Sequence, residues 1–129
     1  MFTYDQRTGT MKHDGAVIGS GYSGHDQGIN NPVMEAVRSV GPIPRGFYHI
    51  GPAYDAPGLG PRVMPLTPVG HDALGRSGFF IHGDSKKGNA SHGCIVIARV
   101  TRTMIAASGD HDLTVICTEA VSDVGHATA

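Results

Sequence analysis

Cysteine is scarce in this sequence, and the scarcity excludes one class of small proteins. The 129 residues include two cysteines, Cys94 and Cys117, so at most one internal disulfide can form and the chain is no disulfide scaffold. Cys117 ends the apolar run 113–117, which predicts a buried strand in which cysteine acts as a small hydrophobic residue. Cys94 lies among glycine, serine and histidine, where that interpretation fits less well.

Runs of like charge and long apolar stretches are missing as well. Ten basic and eleven acidic residues give a net charge of −1, and they form no patch that would attract nucleic acid or an anionic membrane. No apolar stretch approaches the roughly 20 residues that a helix needs to span a bilayer. We therefore expect no nucleic-acid partner and no insertion into a membrane.

A secretory signal is not recognisable at the start of the sequence. Residues 1–5 have neither the basic segment nor the apolar run of such a signal. The expectation is a protein made in the cytoplasm, for which any action outside it depends on another export route.

Glycine and proline, by contrast, are plentiful. Nineteen glycines and eight prolines are more than a helical domain tolerates, whereas short strands joined by turns use them readily. The length fits one domain with a single core. The sequence therefore predicts a mainly β domain over residues 1–119, followed by a polar C-terminal tail over residues 120–129.

Local patterns place several elements along the chain. Asp14-Gly15 predicts a two-residue hairpin turn, and Asn31-Pro32 predicts the start of a short helix, with asparagine as the cap. The segment 19–24 has too many glycines to remain a regular strand for long. A helix is expected over residues 98–108, with Val100, Met104 and Ala107 on one face.

The candidate catalytic residues are concentrated between positions 82 and 94. The run 79–82 predicts a buried strand that ends at His82, and a polar loop then leads to Ser91-His92-Gly93-Cys94. A thiol attacks a carbonyl as the thiolate, and a free cysteine has a pKa of about 8.5, so Cys94 needs a base. His82 and His92 are both candidates for that base.

The residues beside the thiol favour the same chemistry. Gly93 leaves space for a substrate, and glycine can adopt the positive φ that aims consecutive N–H groups at an oxyanion. Ser91 is expected to hold the loop by hydrogen bonds, and the Gly83 carbonyl is close enough in sequence to fix the tautomer of His82. Two other interpretations remain open: a zinc site formed by His82, His92 and Cys94, or a turn without a chemical role.

Taken together, Ile81-His82-Gly83, the polar loop and Ser91-His92-Gly93-Cys94-Ile95 resemble the signature of the L,D-transpeptidase catalytic domain of the YkuD type. The segment 41–50 is similar to the glycine-proline turn that leads into a strand in that family. Residues 4–6, 21–24 and 30–32 resemble one branch of it, the small L,D-transpeptidase-like toxins exported by type VI secretion. The resemblance covers most of residues 2–117.

The resemblance implies an antiparallel β-sandwich with one or two short helices that acts on peptidoglycan stem peptides. Cys94 would attack the carbonyl of the diamino acid at position three and expel the terminal D-alanine. The acyl-enzyme would then react with water, as an L,D-carboxypeptidase, or with an amine, as an L,D-transpeptidase. In this family His82 would be the base, oriented by the Gly83 carbonyl, while His92 would support the thiol or the oxyanion.

One position departs from the family pattern. Many members carry arginine two residues after the cysteine, where this chain has Val96. Candidates for binding the substrate carboxylate instead are Arg99 and Arg102, on the predicted helix, and Arg45 and Arg76, in loops, because a guanidinium binds a carboxylate through two hydrogen bonds. Tyr22, in the segment that resembles the toxin branch, is a further candidate for substrate binding.

The leading hypothesis is therefore a cysteine-dependent peptidoglycan enzyme without a cofactor or metal, delivered to the periplasm of a target bacterium. A secretion machine and a cognate immunity protein would be its partners. One alternative is a cysteine peptidase or amidase that cleaves another cell-wall amide, although those families generally place cysteine before histidine in the chain. The other alternative is a non-catalytic, zinc-stabilised module that binds the cell wall.

Overall fold

The computed structural model describes residues 1–84 and 91–118, and these residues form nine strands and one α-helix. The predicted tail, 120–129, and the end of the predicted domain at residue 119 lie outside the described residues. The strands are β1 (Phe2–Asp5), β2 (Thr10–His13), β3 (Ala16–Ser23), β4 (Gly46–Ile50), β5 (Tyr54–Ala56), β6 (Gly60–Val69), β7 (Phe79–His82), β8 (Ile95–Ile97) and β9 (Asp112–Ile116). The helix, α1, spans Arg99–Ala107.

The strands form one sheet that closes on itself. Their order is β4-β9-β1-β2-β3-β8-β7-β6-β5, and a further pairing of β4 with β6 joins the two sides. Most neighbours are antiparallel, but β1 with β9 and β7 with β8 are parallel. The predicted mainly β class with few helices is confirmed, and the two parallel pairs are an addition that the sequence did not indicate.

The first three strands form a meander because the chain can turn tightly between them. Asp14 and Gly15 both have positive φ, 49° and 87°, as the predicted hairpin turn requires. The strand β3 runs on through the glycine-rich segment, which the sequence analysis expected to break it. A Cβ on Gly19 would lie 2.3 Å from the Thr101 hydroxyl, and one on Gly21 would lie 1.9 Å from the Val96 carbonyl oxygen. The lack of a side chain at Gly19 and Gly21 therefore allows Thr101 and the Val96 backbone to pack closely against β3.

The core lies inside the closed sheet. Alternate residues of each strand point inward, so Tyr4, Met11, Ile81, Ile95 and Leu113 are all fully buried. In β7 and β8 the inward residues are Phe79, Ile81, Ile95 and Ile97, which leaves the residues between them on the opposite face. The candidate catalytic residue of β7, His82, lies on that opposite face.

The helix packs against β6 and β7, but it does so with a different face from the expected one. Val100 and Met104 are exposed, at 69% and 47%, whereas Thr101, Arg102 and Ile105 are buried. Thr101 fills the space above Gly19, and the Arg102 guanidinium donates to the carbonyls of Ile97 and Pro61. The buried face of the helix thus includes the polar side chains of Thr101 and Arg102, which donate to backbone carbonyls, and not the predicted apolar face with Val100 and Met104.

The loops between β3 and β4 carry short 3-10 turns. The predicted helix after Asn31 is one such turn, Pro32–Met34, and the Asn31 side chain caps it by accepting a hydrogen bond from the Val33 amide. A similar turn spans Asp26–Gly28, and a third, Ala73–Gly75, lies between β6 and β7. Within the described part of the chain, no helix has the length and apolar character to cross a membrane.

Candidate active site

The parallel pairing of β7 with β8 brings His82 and Cys94 to one site. Ile81 pairs with Ile95 and His82 with Val96, so continuing the register back by one residue places Cys94 beside Phe80. Because alternate residues share a face, His82 and Cys94 both lie on the face turned away from the core. His82 lies two residues beyond the in-register position of Cys94, so the two residues are diagonal neighbours across the strand pair, at positions that are roughly 7–8 Å apart.

His82 is held in one orientation by its own backbone. The ring is 1% exposed, and Nδ1 lies 2.7 Å from the Gly83 carbonyl oxygen. Because that oxygen can only accept, Nδ1 carries the proton and the lone pair of the neutral ring is on Nε2. Burial lowers the pKa of His82, reinforced by the Arg102 charge and opposed by the bond to Gly83 and by Asp84. The resting residue is therefore a neutral imidazole.

The thiol of Cys94 faces the strand rather than the imidazole. It is half-buried, and its Sγ donates to the Gly78 carbonyl oxygen at 3.6 Å. Burial raises the pKa of Cys94, while a backbone hydrogen bond at Phe80 and the Arg76 charge act in the opposite direction. Among the described residues no hydrogen bond joins this thiol to His82.

Two buried serines fix the loop that carries the thiol. Ser91 is completely buried, and its Oγ donates to the Cys94 carbonyl oxygen at 2.7 Å and accepts from the amides of Gly24 and Gly93. Ser23 Oγ donates to the Gly93 carbonyl oxygen and accepts from the Ile43 amide. The expected role of Ser91 in shaping the loop thus has a counterpart in Ser23, which the sequence analysis did not single out.

Gly93 adopts a conformation that other residues rarely take. Its φ is 121°, and a Cβ at this position would lie 2.4 Å from Nη2 of Arg76. Its N–H group is engaged by Ser91 Oγ at 3.2 Å. The glycine therefore lets a guanidinium approach the backbone next to Cys94, while its amide is used inside the loop.

Arg76 is the buried cation of this site. It is 6% exposed, and its terminal nitrogens donate to four carbonyl oxygens, those of Glu35, Gly41, Pro42 and His92. Its guanidinium carbon also lies 5.5 Å from the centre of the Phe79 ring. The sequence analysis named Arg76 as one of four arginines, and no local pattern distinguished it from the others.

His92 is placed differently from His82. Its ring is exposed, its Nδ1 lies 3.2 Å from the Ser39 carbonyl oxygen, and it packs against the ring of His25 with centroids 4.8 Å apart. His92 therefore faces the 25–39 segment.

The residues expected to bind substrate fall into two groups. Tyr22 and Arg99 line an open groove of about 500 Å³ together with Gly83, Val96 and Arg102, and the Tyr22 hydroxyl donates to Asp84 at 2.6 Å. Arg45 lies elsewhere and forms an ion pair with Glu35. Val96, at the position where the resemblance implies arginine, lines the groove with an aliphatic side chain.

The three residues of the alternative zinc site do not bring their ligand atoms together. Within the described ranges, the group of side chains that could converge on a metal ion is His13, Asp14 and Asp110, in other strands and loops. Asp14 and Asp110 there both accept from the N-terminal ammonium. His82, His92 and Cys94 therefore do not converge as the alternative zinc site requires.

Fold and site together define a mainly β domain with a histidine at the end of one strand and a cysteine in a serine-fixed turn just before the parallel neighbouring strand. Residues 18–118 match the sequence model of the Tlde1 domain, and the chain therefore belongs to the Tlde1 domain family. This is a family of type VI secretion effectors related to L,D-transpeptidases, enzymes that act on peptidoglycan. No curated protein matches the chain significantly.

Proposed function

We propose that this protein is a peptidoglycan L,D-carboxypeptidase or L,D-transpeptidase in which Cys94 is the nucleophile and His82 the base. The observation that carries the proposal is the bond from His82 Nδ1 to the Gly83 carbonyl, with Cys94 directly before the neighbouring parallel strand β8. It fixes the tautomer whose free Nε2 can accept a proton from sulfur.

The reaction begins with a rotation of the thiol. Cys94 Sγ leaves the Gly78 carbonyl and turns to Nε2 of His82, which takes the proton as sulfur bonds to the carbonyl carbon of the position-three residue. Collapse of the tetrahedral intermediate breaks the amide bond, and the leaving amine takes the proton from Nε2. A thioester on Cys94 remains.

Deacylation reverses these proton transfers. His82 removes a proton from the attacking water or amine, which bonds to the thioester carbon, and the proton returns to the departing sulfur. Water yields the shortened stem peptide, and an amine yields a cross-link or an exchanged D-amino acid. Ser91 and Gly93 keep the turn in shape during both steps, while His92 supports the loop from its outer side.

The family supports the further proposal of an antibacterial effector exported by a type VI machine into the periplasm of a target bacterium. A producer of such an enzyme needs an immunity protein that covers the Cys94 site. These partners follow from the proposed chemistry, because the stem peptides of the producer contain the same bond.

The test is incubation of purified sacculi with the wild-type protein, followed by mass analysis of the muropeptides. We expect tetrapeptides to be trimmed to tripeptides or exchanged, and Cys94→Ala to abolish the change. Cys117→Ser is the matched control, since Cys117 is also a free thiol. Parental activity in Cys94→Ala would overturn the proposal, and cleavage of a different amide would indicate the peptidase or amidase instead.

A further inference from the structure

Two arginines of the described chain, Arg76 and Arg102, are buried, and each lies against a glycine next to the proposed nucleophile or base. Arg102 Nη2 lies 2.8 Å from the position that a Cβ would take on Gly83. Arg76 Nη2 lies 2.4 Å from the corresponding position on Gly93. The missing side chain at each glycine therefore gives a guanidinium access to the backbone of the candidate site.

The Arg76 guanidinium lies beside the turn that carries the thiol. Its Nη2 approaches the His92 carbonyl oxygen at 3.5 Å, in addition to its close approach to Gly93. Its central carbon lies 5.5 Å from the centre of the Phe79 ring, and that ring lies 3.4 Å from the same Cβ position on Gly93. Consecutive Cα atoms are about 3.8 Å apart, so the charge lies roughly one residue from Cys94.

The hydrogen-bond partners of Arg76 leave its charge in place. All four acceptors are neutral backbone carbonyl oxygens. The Glu35 carboxylate forms its ion pair with Arg45 instead, and no ion pair to Arg76 is found within residues 1–84 and 91–118. Burial of a cation without a counter-ion is costly and lowers the pKa of Arg76. An anion that forms close by would offset part of this cost.

The proposed reaction forms such an anion at Cys94. When the proton moves from Sγ to Nε2 of His82, sulfur keeps the electron pair and carries a negative charge. Burial opposes this charge and raises the pKa of Cys94, whereas the Arg76 charge lowers it. The thiolate in turn raises the pKa of Arg76. Because both groups are largely removed from water, their attraction is screened less than that of a surface pair.

Other charged and titratable groups of the described chain near Cys94 and Arg76 are placed differently. Arg102 acts on the base, since its charge lowers the pKa of His82. Arg38 is exposed and bonds the Gly75 carbonyl, so water screens its charge. The others carry no permanent positive charge: Tyr48 and Glu35, which act on Arg76, and His25 and His92, whose rings pack on each other.

We propose that Arg76 is a positioning residue of the reaction, whose buried charge stabilises the Cys94 thiolate while its hydrogen bonds hold the turn. The proposal rests on the proposed function and adds the group that offsets the burial of the thiolate. Arg76 acts through its charge and not by binding substrate, because its terminal nitrogens are used by backbone carbonyls.

The experiment measures the rate at which iodoacetamide alkylates Cys94 as a function of pH. Cys117→Ser is the background, because Cys117 is the other free thiol. Arg76→Gln should raise the pH midpoint and slow alkylation at neutral pH about tenfold, whereas Arg76→Lys should keep most of the wild-type rate. Arg38→Gln is the control and should leave the midpoint unchanged, since Arg38 is an exposed arginine of the cavity that Arg76 also lines.

The pair of Arg76 variants separates charge from structure. Both lose the planar guanidinium and its geometry, but the lysine variant keeps the positive charge. An equal change of the midpoint in Arg76→Lys and Arg76→Gln would show a purely structural role and overturn the proposal. A wild-type midpoint in Arg76→Gln would overturn it as well.

A second measurement needs no Arg76 variant and decides the question if Arg76→Gln does not fold. The rates of alkylation by the anion iodoacetate and by neutral iodoacetamide are compared at Cys94 and at the model thiol N-acetylcysteinamide. A positive charge near sulfur favours the anionic reagent, so the iodoacetate-to-iodoacetamide ratio should be higher at Cys94, and Arg38→Gln should retain the excess. A ratio at or below that of the model thiol would overturn the proposal.

Cleavage of a tetrapeptide keeps this proposal distinct from the proposed function. Arg76→Gln should lower kcat/KM about tenfold, and Arg76→Lys should restore most of it. If Cys94→Ala still cleaves, the proposed function fails whatever the alkylation rates are. If Cys94 is required but its alkylation is the same in Arg76→Gln as in the wild type, the role of Arg76 alone is wrong.

Discussion

His82 and His92 both precede Cys94 in the sequence, yet the fold gives them opposite environments. His82 is buried at the end of β7 with its Nδ1 on the Gly83 carbonyl. His92 is exposed, bonded to the Ser39 carbonyl and packed on His25. Proximity in sequence therefore does not decide which imidazole serves the thiol; the strand register and the hydrogen bond on the far nitrogen favour the more distant residue.

The sharpest test of this difference is removal of each ring in turn. We expect His82→Ala to lower kcat/KM on a tetrapeptide by ~10²–10⁴-fold, the usual contribution of a positioned base. His92→Ala is the matched variant and should lose less than about tenfold, because its ring faces the 25–39 segment. The reverse order of effects would assign the base to His92.

The second test loosens the turn that carries His92 and Cys94. Ser91→Ala removes the hydroxyl that bonds Cys94, Gly24 and Gly93 and leaves buried groups without partners. We expect a loss of about 1–3 kcal/mol in the free energy of unfolding, measured by urea denaturation. Thr8→Ala is a control at an exposed hydroxyl. Unchanged stability in Ser91→Ala would mean that the loop is held by other contacts.

The third test uses pH and has the smallest expected effect. Because burial lowers the pKa of His82, the base form persists below the ordinary value of about 6.5, and activity should be lost only as pH falls through the lowered pKa. The acid limb of kcat/KM, which reports the free enzyme, should therefore lie below about 6.5. Asp84→Asn should move it further down, since the Asp84 charge raises this pKa.

The same pH profile can contradict the assignment. His92→Ala should leave the acid limb in place, because the proposed proton transfer does not involve His92. A limb that moves or vanishes in His92→Ala, and stays in Asp84→Asn, would show that the titrating base is the exposed histidine.

Much of the local structure follows from the sequence because it depends on neighbouring residues. The Asp14-Gly15 turn, the strand that delivers His82 and the helix before Gly109 were all predicted from short patterns, and the structure contains each of them. The serine-histidine-glycine-cysteine turn was likewise recognisable from its own residues. The choice between His82 and His92 as the base, however, came from the family resemblance and not from the spacing of the residues.

The remaining features depend on contacts between distant segments. Ser23 supports Gly93 across seventy residues, and Arg76 joins the 35–42 loop to the turn beside the thiol. Neither contact has a local signature. The buried face of α1 was missed for the same reason, because Thr101 and Arg102 are satisfied by Ile18, Ile97 and Pro61 in other elements.

The parallel pairing of β1 with β9 has a consequence for the order of folding. Phe2 lies beside Leu113, and Tyr4 beside Val115, while β9 also pairs with β4. Contacts over such separations carry a large loop-closure entropy and form late. We therefore expect the β1–β3 meander to form early and the ring of strands to close last, when β9 inserts between β1 and β4.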